Sequence, residues 1–581
     1  MSFRLLLEEY LSLMKEAGEL DIFLPVLLTA MNHEVVLKAQ TGVRQFGVDV
    51  VTRGPDERRE QRLFLWVIKC GDINRQSWRV DKQSIRNSVE EVGDVYLETH
   101  ITPQDDRLPR TLVVVTNGSI NQEVALEMTT YLKKWGKKHR TKVQTVTGAT
   151  LAIWVEQFLL NEYALPAAHR SLFRKALATV ETPEVSYQHS VQLVVGLMSE
   201  AQSNVGSARA RRKRVLASLR ALLAFNEVLL LWARDAGNLE APYLVAEFSV
   251  LRAWSHLHNS PLLSDPRVGT DLHRIAIHYL NTCELYHAKI EPYYFVQSAI
   301  ATVSPDSAVV ATKVFSEMGR LGLAAVTRFI VANHIQDMTI HQQAVGFVDR
   351  LEALLKSHTV SASPCFDSQS TDISLALLAL AASGRTQTAR DWLHQVIDRL
   401  GVAKQFGRYA PVQTDSFDDL LAVRRGDAEQ IEEFTKISTV VPVLGLWCEL
   451  LQADRSYDLL ARKVAPKFSG TTFNLWAPDT TYETALSDRE ALHSSGFAEC
   501  FHTMPSTTGG LRALLSPMAS GAASVNSFNF SKAGWQWVAL MASRHWRQQI
   551  PHELLHVLAL SFLTPKGGAP TAPVASGASQ P

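Results

Sequence analysis

Two short apolar runs within residues 34–78 each carry, near their ends, a side chain that can take part in catalysis. The run VDVV contains Asp49, and the run LFLWVIK ends in Lys69. Carboxylate oxygens are the ligands that Mg²⁺ prefers, and a bound metal ion lowers the pKa of a coordinated water. A nearby lysine stabilises negative charge that develops on a phosphate. The two residues therefore predict metal-assisted hydrolysis of a phosphodiester.

The surrounding residues predict the elements that bring Asp49 and Lys69 together. Apolar, β-branched runs predict strands within residues 34–51 and over 63–69, 111–116 and 143–146, and the polar segment from Gly54-Pro55 to Glu60 predicts a solvated turn. Helical spacing of apolar residues predicts helices over 1–33, 80–96, 122–135 and 151–160. We expect a mixed α/β domain over residues 1–165, with the strand 63–69 buried on both faces.

Four short motifs occur in order between residues 20 and 160. A helix in LDIFLPVLLTAMNHEVV begins with Asp21, and Gly47-Val48-Asp49 follows it. The next motif is Val67-Ile68-Lys69-Cys70, and the last is Thr116-Asn117-Gly118 at the end of a strand. In this order the motifs resemble the restriction-endonuclease-like, or PD-(D/E)xK, superfamily, in its Mrr-type branch, where the first helix often carries Glu.

The resemblance implies a metal-dependent nuclease that acts on DNA. Asp49 would bind Mg²⁺ or Mn²⁺, and Lys69 would lie beside the attacking water. The layout is also similar to that of bacterial restriction or phage-defence effectors. These implications are expectations that the structure has to test.

One position departs from the family pattern. The family carries an acidic residue or Gln two positions before the lysine, on the same face of the strand, and here that residue is Val67. Another carboxylate could replace it, and the candidate accessory carboxylates are Asp21, Asp72, Glu90 and Glu91. The alternative is a catalytically degenerate nuclease fold that serves as a scaffold for nucleic acid or protein.

Two clusters of basic residues predict contact with a nucleic-acid backbone, which such clusters bind without reading sequence. Each cluster is also compatible with an ordinary solvated helix end. The first cluster lies at the end of the helix 122–135, and the second opens a later helix. Their principal members are Lys133, Lys134, Lys137, Lys138 and Arg140 in the first, and Arg211 and Arg212 in the second.

The C-terminal sequence His552-Glu553-Leu554-Leu555-His556 matches the HExxH motif of zinc proteases. Such a site needs a third protein ligand, and no Asp, Glu, His or Cys follows His556. We therefore favour an amphipathic helix that packs its leucines, including Leu558 and Leu560, on a core. Buried cores are likewise the favoured interpretation for Cys70 and for the aromatic residues Phe473, Trp476 and Tyr482, which could otherwise form a ligand surface.

Helical periodicity dominates after Pro166, but no fixed repeat length persists. We expect an irregular helical array over residues 166–465, a mixed, mostly helical segment over 466–563 and a disordered tail over 564–581. The segment 376–400 predicts a helix–turn–helix pair. This mostly α-helical region would sense a signal, dock a protein partner or form homo-oligomers.

Composition limits the remaining possibilities. The 581 residues carry no net charge, so only local charge can indicate a partner. Five separated cysteines are typical of a reducing cytoplasm, and no window reaches the ~20 apolar residues that cross a membrane. Because no Walker A motif occurs, we expect no nucleotide-driven motor in this chain.

Overall fold

A computed structural model describes residues 8, 11, 12, 14, 16–37, 46–56, 58–81, 84–159, 167–201, 207–407, 411–426, 428–515 and 521–564. The predicted tail after residue 564 and much of the predicted helix over residues 1–15 lie outside them. The chain forms two compact units, one of residues 1–175 and 199–228, the other of residues 176–198 and 229–581. The protein is mostly helical, and a mixed sheet lies near its N-terminus.

The N-terminal sheet has five strands in the order of the sequence. The first three strands are antiparallel neighbours, whereas the third, fourth and fifth run parallel. Lys69 and Thr116 are partners in the parallel register, so both lie at the carboxyl ends of their strands. The strands are β1 (Glu34–Leu37), β2 (Val50–Pro55), β3 (Gln61–Lys69), β4 (Arg110–Thr116) and β5 (Lys142–Val146).

Strand β3 is central in the sheet, and its side chains from Leu63 to Ile68 are buried. Leu65 and Val67 join the core that the sheet shares with the following helices. On alternate positions Trp66 packs edge-on against Trp154 and donates a hydrogen bond to Thr52. The predicted burial of this strand on both faces is therefore confirmed.

The helices of the N-terminal unit follow the predicted order but are more broken. A π-helical turn, Glu16–Leu20, precedes the α-helix Asp21–Ala30, and further π-helical turns occupy Gln76–Val80, Val92–Tyr96 and Val155–Leu159. The helix predicted over residues 80–96 is wrong as one element, because Ser84 has extended backbone and caps a new helix. The longer α-helices described before residue 160 are α1 (Asp21–Ala30), α2 (Ile85–Glu91), α3 (Gln122–Lys138) and α4 (Gly148–Trp154), and a single α-helical turn spans Leu97–Thr99.

The predicted solvated turn is present but begins two residues later, because Gly54 and Pro55 end β2. The N–H of Arg59 donates to the carbonyl of Asp56, and residues 58–60 are exposed. A side chain at position 54 would place its Cβ within 2.5 Å of the His33 ring, so glycine leaves room for that ring. His33 in turn shares a hydrogen bond with Thr52, 3.0 Å away. Tertiary contact with His33, and not local turn chemistry, therefore explains Gly54.

The rest of the chain confirms the predicted helical character. Gly384, at a φ of +76°, lies in the turn between the two helices of the predicted helix–turn–helix pair. The longer helices are α5 (Ala167–Ala178), α6 (Pro183–Ala201), α7 (Ala208–Asp235), α8 (Glu240–Leu257), α9 (Pro266–Phe295), α10 (Ser307–Ile335), α11 (Met338–Ser357), α12 (Ser370–Ala382) and α13 (Thr386–Gln405).

A second, three-stranded sheet lies within the C-terminal unit. Its middle strand carries Phe473 and Trp476, which are buried together with Tyr482, so these aromatics form a core. The remaining elements are α14 (Phe417–Arg425), α15 (Ala428–Phe434), β6 (Ile437–Ser438), α16 (Val440–Leu450), α17 (Asp454–Leu459), β7 (Thr472–Pro478), α18 (Tyr482–Ala485), α19 (Arg489–His493), β8 (Gly496–Phe501), α20 (Thr508–Leu515), α21 (Asn529–Lys532), α22 (Gln536–Trp546) and α23 (His552–Leu563).

One helix among the described residues, α7, is long and apolar enough to cross a membrane, and 67% of its apolar window is buried inside the protein. A buried core helix has the same length and composition.

Candidate active site

Asp49 is held against the end of β3 by two hydrogen bonds. Its backbone N–H donates to the carbonyl of Trp66 at 2.9 Å, and the N–H of Ile68 donates to its Oδ2 at 2.7 Å. These contacts place the carboxylate beside the last residues of β3, where Lys69 follows. The structure thus brings together the two residues that the sequence singled out.

Glu16 is a third member of this site. Its Oε2 lies 3.4 Å from Lys69 Nζ and accepts a hydrogen bond of 3.1 Å from the backbone N–H of Cys70. The side chains of Lys69 and Glu16 are 19% and 42% exposed, so both remain accessible from solvent. Glu16 was not predicted from the sequence, where its one signal is an acidic residue shortly before the acidic start of α1.

The π-helical turn explains how Glu16 and Asp21 approach the same carboxylate. A π-helix bonds residue i to residue i+5, so side chains five positions apart lie nearly above one another. Both negative charges act on Asp49 and raise its pKa. Oδ1 of Asp21 is buried without a hydrogen-bond partner. Of the predicted accessory carboxylates, Asp21 therefore belongs to this site.

Burial is the main cause of an unusual pKa at Asp49. It raises the pKa of this carboxyl from 3.8 to about 6, and Glu16 and Asp21 add to the rise, while the Ile68 hydrogen bond and Lys69 oppose it. Three carboxylates and one ammonium carry a net charge of −2 when all are ionised. Such an excess of negative charge is what a divalent cation neutralises.

Among the described residues, no three His, Cys, Asp or Glu side chains are already arranged to hold a metal ion. The fit of a cation therefore rests on oxygen ligands and charge. Asp49 and Glu16 supply hard oxygen ligands of the kind that Mg²⁺ and Mn²⁺ bind, with water and phosphate completing the shell.

The other candidate accessory carboxylates have partners of their own. Asp72 accepts hydrogen bonds from the N–H and the hydroxyl of Ser119, at 2.7 and 2.9 Å, and these bonds lower its pKa. Glu90 binds Arg86 and the hydroxyl of Tyr131. Glu91 lies beside Glu90 on α2.

Val67 is part of the hydrophobic core of the N-terminal unit. It is 2% exposed and belongs to the cluster that includes Val51, Leu112 and Val114. A carboxyl group in this cluster would have no partner, and it would be costly there whether it stays ionised or takes up a proton. The acidic residue of the family pattern would therefore destabilise the fold at this position.

We expect Val67→Glu to destabilise the protein by about 3–5 kcal/mol without raising any nuclease activity. Urea unfolding measures the change, and Val67→Ile serves as a control that preserves an apolar side chain. A stable Val67→Glu protein with increased cleavage would show instead that residue 67 faces the catalytic site.

Asn117, from the predicted Thr-Asn-Gly motif, ties the segment before Glu16 to the sheet. Its Nδ2 donates to the carbonyls of Leu11 and Met14 at 2.7 and 2.8 Å, and its Oδ1 accepts from the N–H of Gly71 at 2.7 Å. The thiol of Cys70 donates to the same Met14 carbonyl at 2.9 Å. Cys70 is therefore half-buried beside the site. The prediction that it lies in a buried core is wrong.

Replacement of Asn117 by Ala removes these three hydrogen bonds and a longer one of 3.7 Å to the Cys70 sulfur, and it leaves the part-buried N–H of Gly71 without its acceptor. We expect a loss of about 1–3 kcal/mol in unfolding free energy and a fall in cleavage, because Glu16 is no longer positioned. Deuterium exchange of residues 11–20 should rise in the same variant. Unchanged exchange there would contradict the positioning role.

The first basic cluster lies far from Asp49. Helix α3 begins beside the carboxyl end of β4 and runs to Lys138, and its 17 residues span roughly 25 Å at 1.5 Å per residue. Its lysines and Arg140 are exposed near the opposite end of the sheet. In the second cluster, Arg211 and Arg212 are only half-exposed on α7.

The HExxH sequence does lie on a helix, α23, but its acid is already bound. Glu553 accepts hydrogen bonds of 2.8 Å from the Ser524 hydroxyl and from the N–H of Val525, so it caps a neighbouring turn. Leu558 is buried as predicted, whereas Leu560 is 45% exposed, and the prediction that it packs on the core is wrong. Leu560 lies on the outer side of the helix.

Comparisons with protein-family models, with curated proteins and with solved structures find no match to this chain. The chemistry of the site therefore has to be inferred from its own geometry.

Proposed function

We propose that the N-terminal unit is a metal-dependent nuclease that hydrolyses DNA phosphodiester bonds at Glu16, Asp49 and Lys69. The observation that supports this most is the contact between Glu16 and Lys69, 3.4 Å apart beside Asp49. Glu16 supplies from another part of the chain the second acid that position 67 lacks. The site thus has two carboxylates and one lysine, the set that metal-assisted phosphodiester hydrolysis uses.

Each residue has a distinct role in this proposal. Asp49 and Glu16 would hold Mg²⁺ or Mn²⁺, and Asp21 would add negative charge behind them. The metal ion, when bound, lowers the pKa of its water and neutralises charge on the phosphate. Lys69 orients the attacking water or stabilises the developing negative charge through its ammonium group. Asn117 and Cys70 keep Glu16 at the end of β3.

The direct test is cleavage of supercoiled plasmid and of a labelled duplex by the full chain, with Mg²⁺ or Mn²⁺ and with a chelator as control. We expect metal-dependent nicking that Lys69→Ala abolishes. Lys356→Ala is a matched control, because Lys356 also pairs with an acid, Glu352, at 2.6 Å, but its side chain is 70% exposed. Equal cleavage by both variants would reject the proposal. Cleavage of a labelled RNA strand, measured in parallel, tests whether DNA is the preferred substrate.

The alternative is a non-catalytic scaffold of the same shape, and the burial of Val67 favours it. In that case the exposed lysines of α3 bind a nucleic-acid backbone, and the helical region docks a protein or a second copy. Salt-dependent DNA binding, without cleavage in any metal, would support the scaffold. Under the nuclease proposal the helical region senses the trigger, as in a restriction or phage-defence effector.

A further inference from the structure

A cavity of about 340 Å³ lies in the C-terminal unit, between β7, β8 and the helices α16, α20 and α23. Most of its lining is apolar, with Leu446, Pro478, Leu511 and Leu515 among the side chains that form it. Its volume falls within the range of small-molecule sites, which are mostly apolar with a few convergent polar groups. The polar groups therefore decide what the cavity can bind.

Hydrogen-bond acceptors converge at one end of the cavity. Glu499 Oε1 is buried without a hydrogen-bond partner, and Oε2 lies 3.7 Å from Nε2 of His552, beyond hydrogen-bond distance. The His552 Nδ1 lies 3.2 Å from the carbonyl oxygen of Trp476. Because a carbonyl can only accept, Nδ1 donates this hydrogen bond, and Nε2 is the ring nitrogen that faces Glu499.

The other ionisable groups around the cavity do not supply the missing donor. Arg512 is 69% exposed and its guanidinium pairs with Glu449. Burial, followed by the charge of Arg512, lowers the pKa of His556, so its ring is neutral at neutral pH. Glu553 is occupied by Ser524 and Val525. The Glu499 carboxylate is only 16% exposed, and its Oε1 therefore lacks a hydrogen-bond donor.

We propose that this cavity binds a small organic cation, a primary amine with an apolar body. Its ammonium group donates hydrogen bonds to the Glu499 carboxylate, and its body lies against Leu446 and Leu511. A buried acceptor without a donor destabilises the protein, and a charged donor satisfies it with a strong hydrogen bond. The apolar walls stabilise the complex further when the ligand removes them from water.

An organic cation fits these observations better than a metal ion. Glu449, another acid that lines the cavity, is already paired with Arg512 and adds no second carboxylate ligand beside Glu499. The acid of the HExxH sequence also faces Ser524, so it is not free to act as a base. The apolar side chains that line the cavity, finally, would not stabilise a bound metal ion.

The test is calorimetric titration of the full chain with hexylamine, benzylamine and phenethylamine, each beside the alcohol that replaces its ammonium group by hydroxyl. We expect at least one amine to bind about tenfold or more tightly than its alcohol. Glu499→Gln should weaken that amine about tenfold or more and leave the alcohol unchanged. Glu490→Gln, an exposed acid on α19, should change neither.

Three results would overturn the inference: no binding of any amine, equal binding of amine and alcohol, or unchanged amine binding by Glu499→Gln. Titration with zinc tests the metal alternative. The cavity would be assigned to a metal if zinc binds, if His552→Ala removes that binding, and if no amine binds. If Glu499→Gln does not fold, Leu511→Phe, which fills the cavity, has to abolish amine binding.

Discussion

Asp49→Asn should abolish metal-dependent cleavage and at the same time make the protein more stable. Asn retains an oxygen that can accept the Ile68 N–H bond but has no charge for a divalent cation. We expect cleavage to fall by about a hundredfold or more, as for the loss of one preorganised charge-stabilising group. Initial rates on a labelled duplex, at saturating Mn²⁺, measure the loss.

The stability change follows from the raised pKa of Asp49. Because the pKa is about 6 in the folded protein and 3.8 as its ordinary value, the unfolded chain loses this proton first as pH rises. The folded state is therefore weakened progressively between these two values, and the full cost remains at neutral pH. We expect Asp49→Asn to raise the free energy of unfolding by about 1–3 kcal/mol at neutral pH and to leave it unchanged below pH 3.8.

The same pKa sets the pH dependence of cleavage by the parent protein. Asp49 binds a cation only when it is ionised, so the rate should rise as pH increases through about 6. Added Mn²⁺ should raise the melting temperature of the parent but not of Asp49→Asn. An Asp49→Asn protein that is less stable than the parent at neutral pH would indicate a structural ion pair in place of a catalytic site.

Glu16→Gln should reduce cleavage about tenfold to a hundredfold while the fold persists. The amide can still accept the Cys70 N–H bond, but it no longer carries the charge that pairs with Lys69 or binds a cation. Because the Glu16 charge raises the pKa of Asp49, its removal should also move the midpoint of the pH–rate profile below about 6. A purely structural role for Glu16 would leave that midpoint unchanged.

Asp94→Asn is the matched control for Glu16→Gln. It also removes the acid of an ion pair with a lysine, Lys138, at 3.6 Å, but the side chains of Asp94 and Lys138 are both more than half exposed. Exposed pairs of this kind contribute about 0–1 kcal/mol, so cleavage and stability should both stay near the parent values. Full activity of Glu16→Gln would show that Glu16 is not needed for cleavage and would limit the site to Asp49 and Lys69.

Much of the local structure could be predicted because it depends on residues that are neighbours in the sequence. The run from Leu63 to Ile68 is apolar at every position, which only a strand covered on both faces can bury. Thr116-Asn117-Gly118 was recognised as a strand end, but its function was not. Only the folded chain shows that Asn117 binds the carbonyls of Leu11 and Met14, more than a hundred residues away.

Sequence patterns also could not assign every side chain to a face or a neighbour. Gly54-Pro55 has the composition of a turn, yet it ends β2 because the His33 ring occupies the space beside it. The sequence placed the lysines of α3 at the end of a helix, and the length of that helix carries them to the end of the sheet opposite Asp49 and Lys69. The spacing of residues in the sequence shows neither that His33 lies beside Gly54 nor how far the α3 lysines are from Asp49.

The sequence by itself determined that an acid and a lysine, Asp49 and Lys69, lie near the ends of two strands, because alternation and burial are local properties. The tertiary structure alone decided which groups surround them. It brought Glu16 within 3.4 Å of Lys69 through a π-helical turn, and it placed Val67 in the core. Contacts between distant segments depend on packing of the whole unit, so no local pattern encodes them.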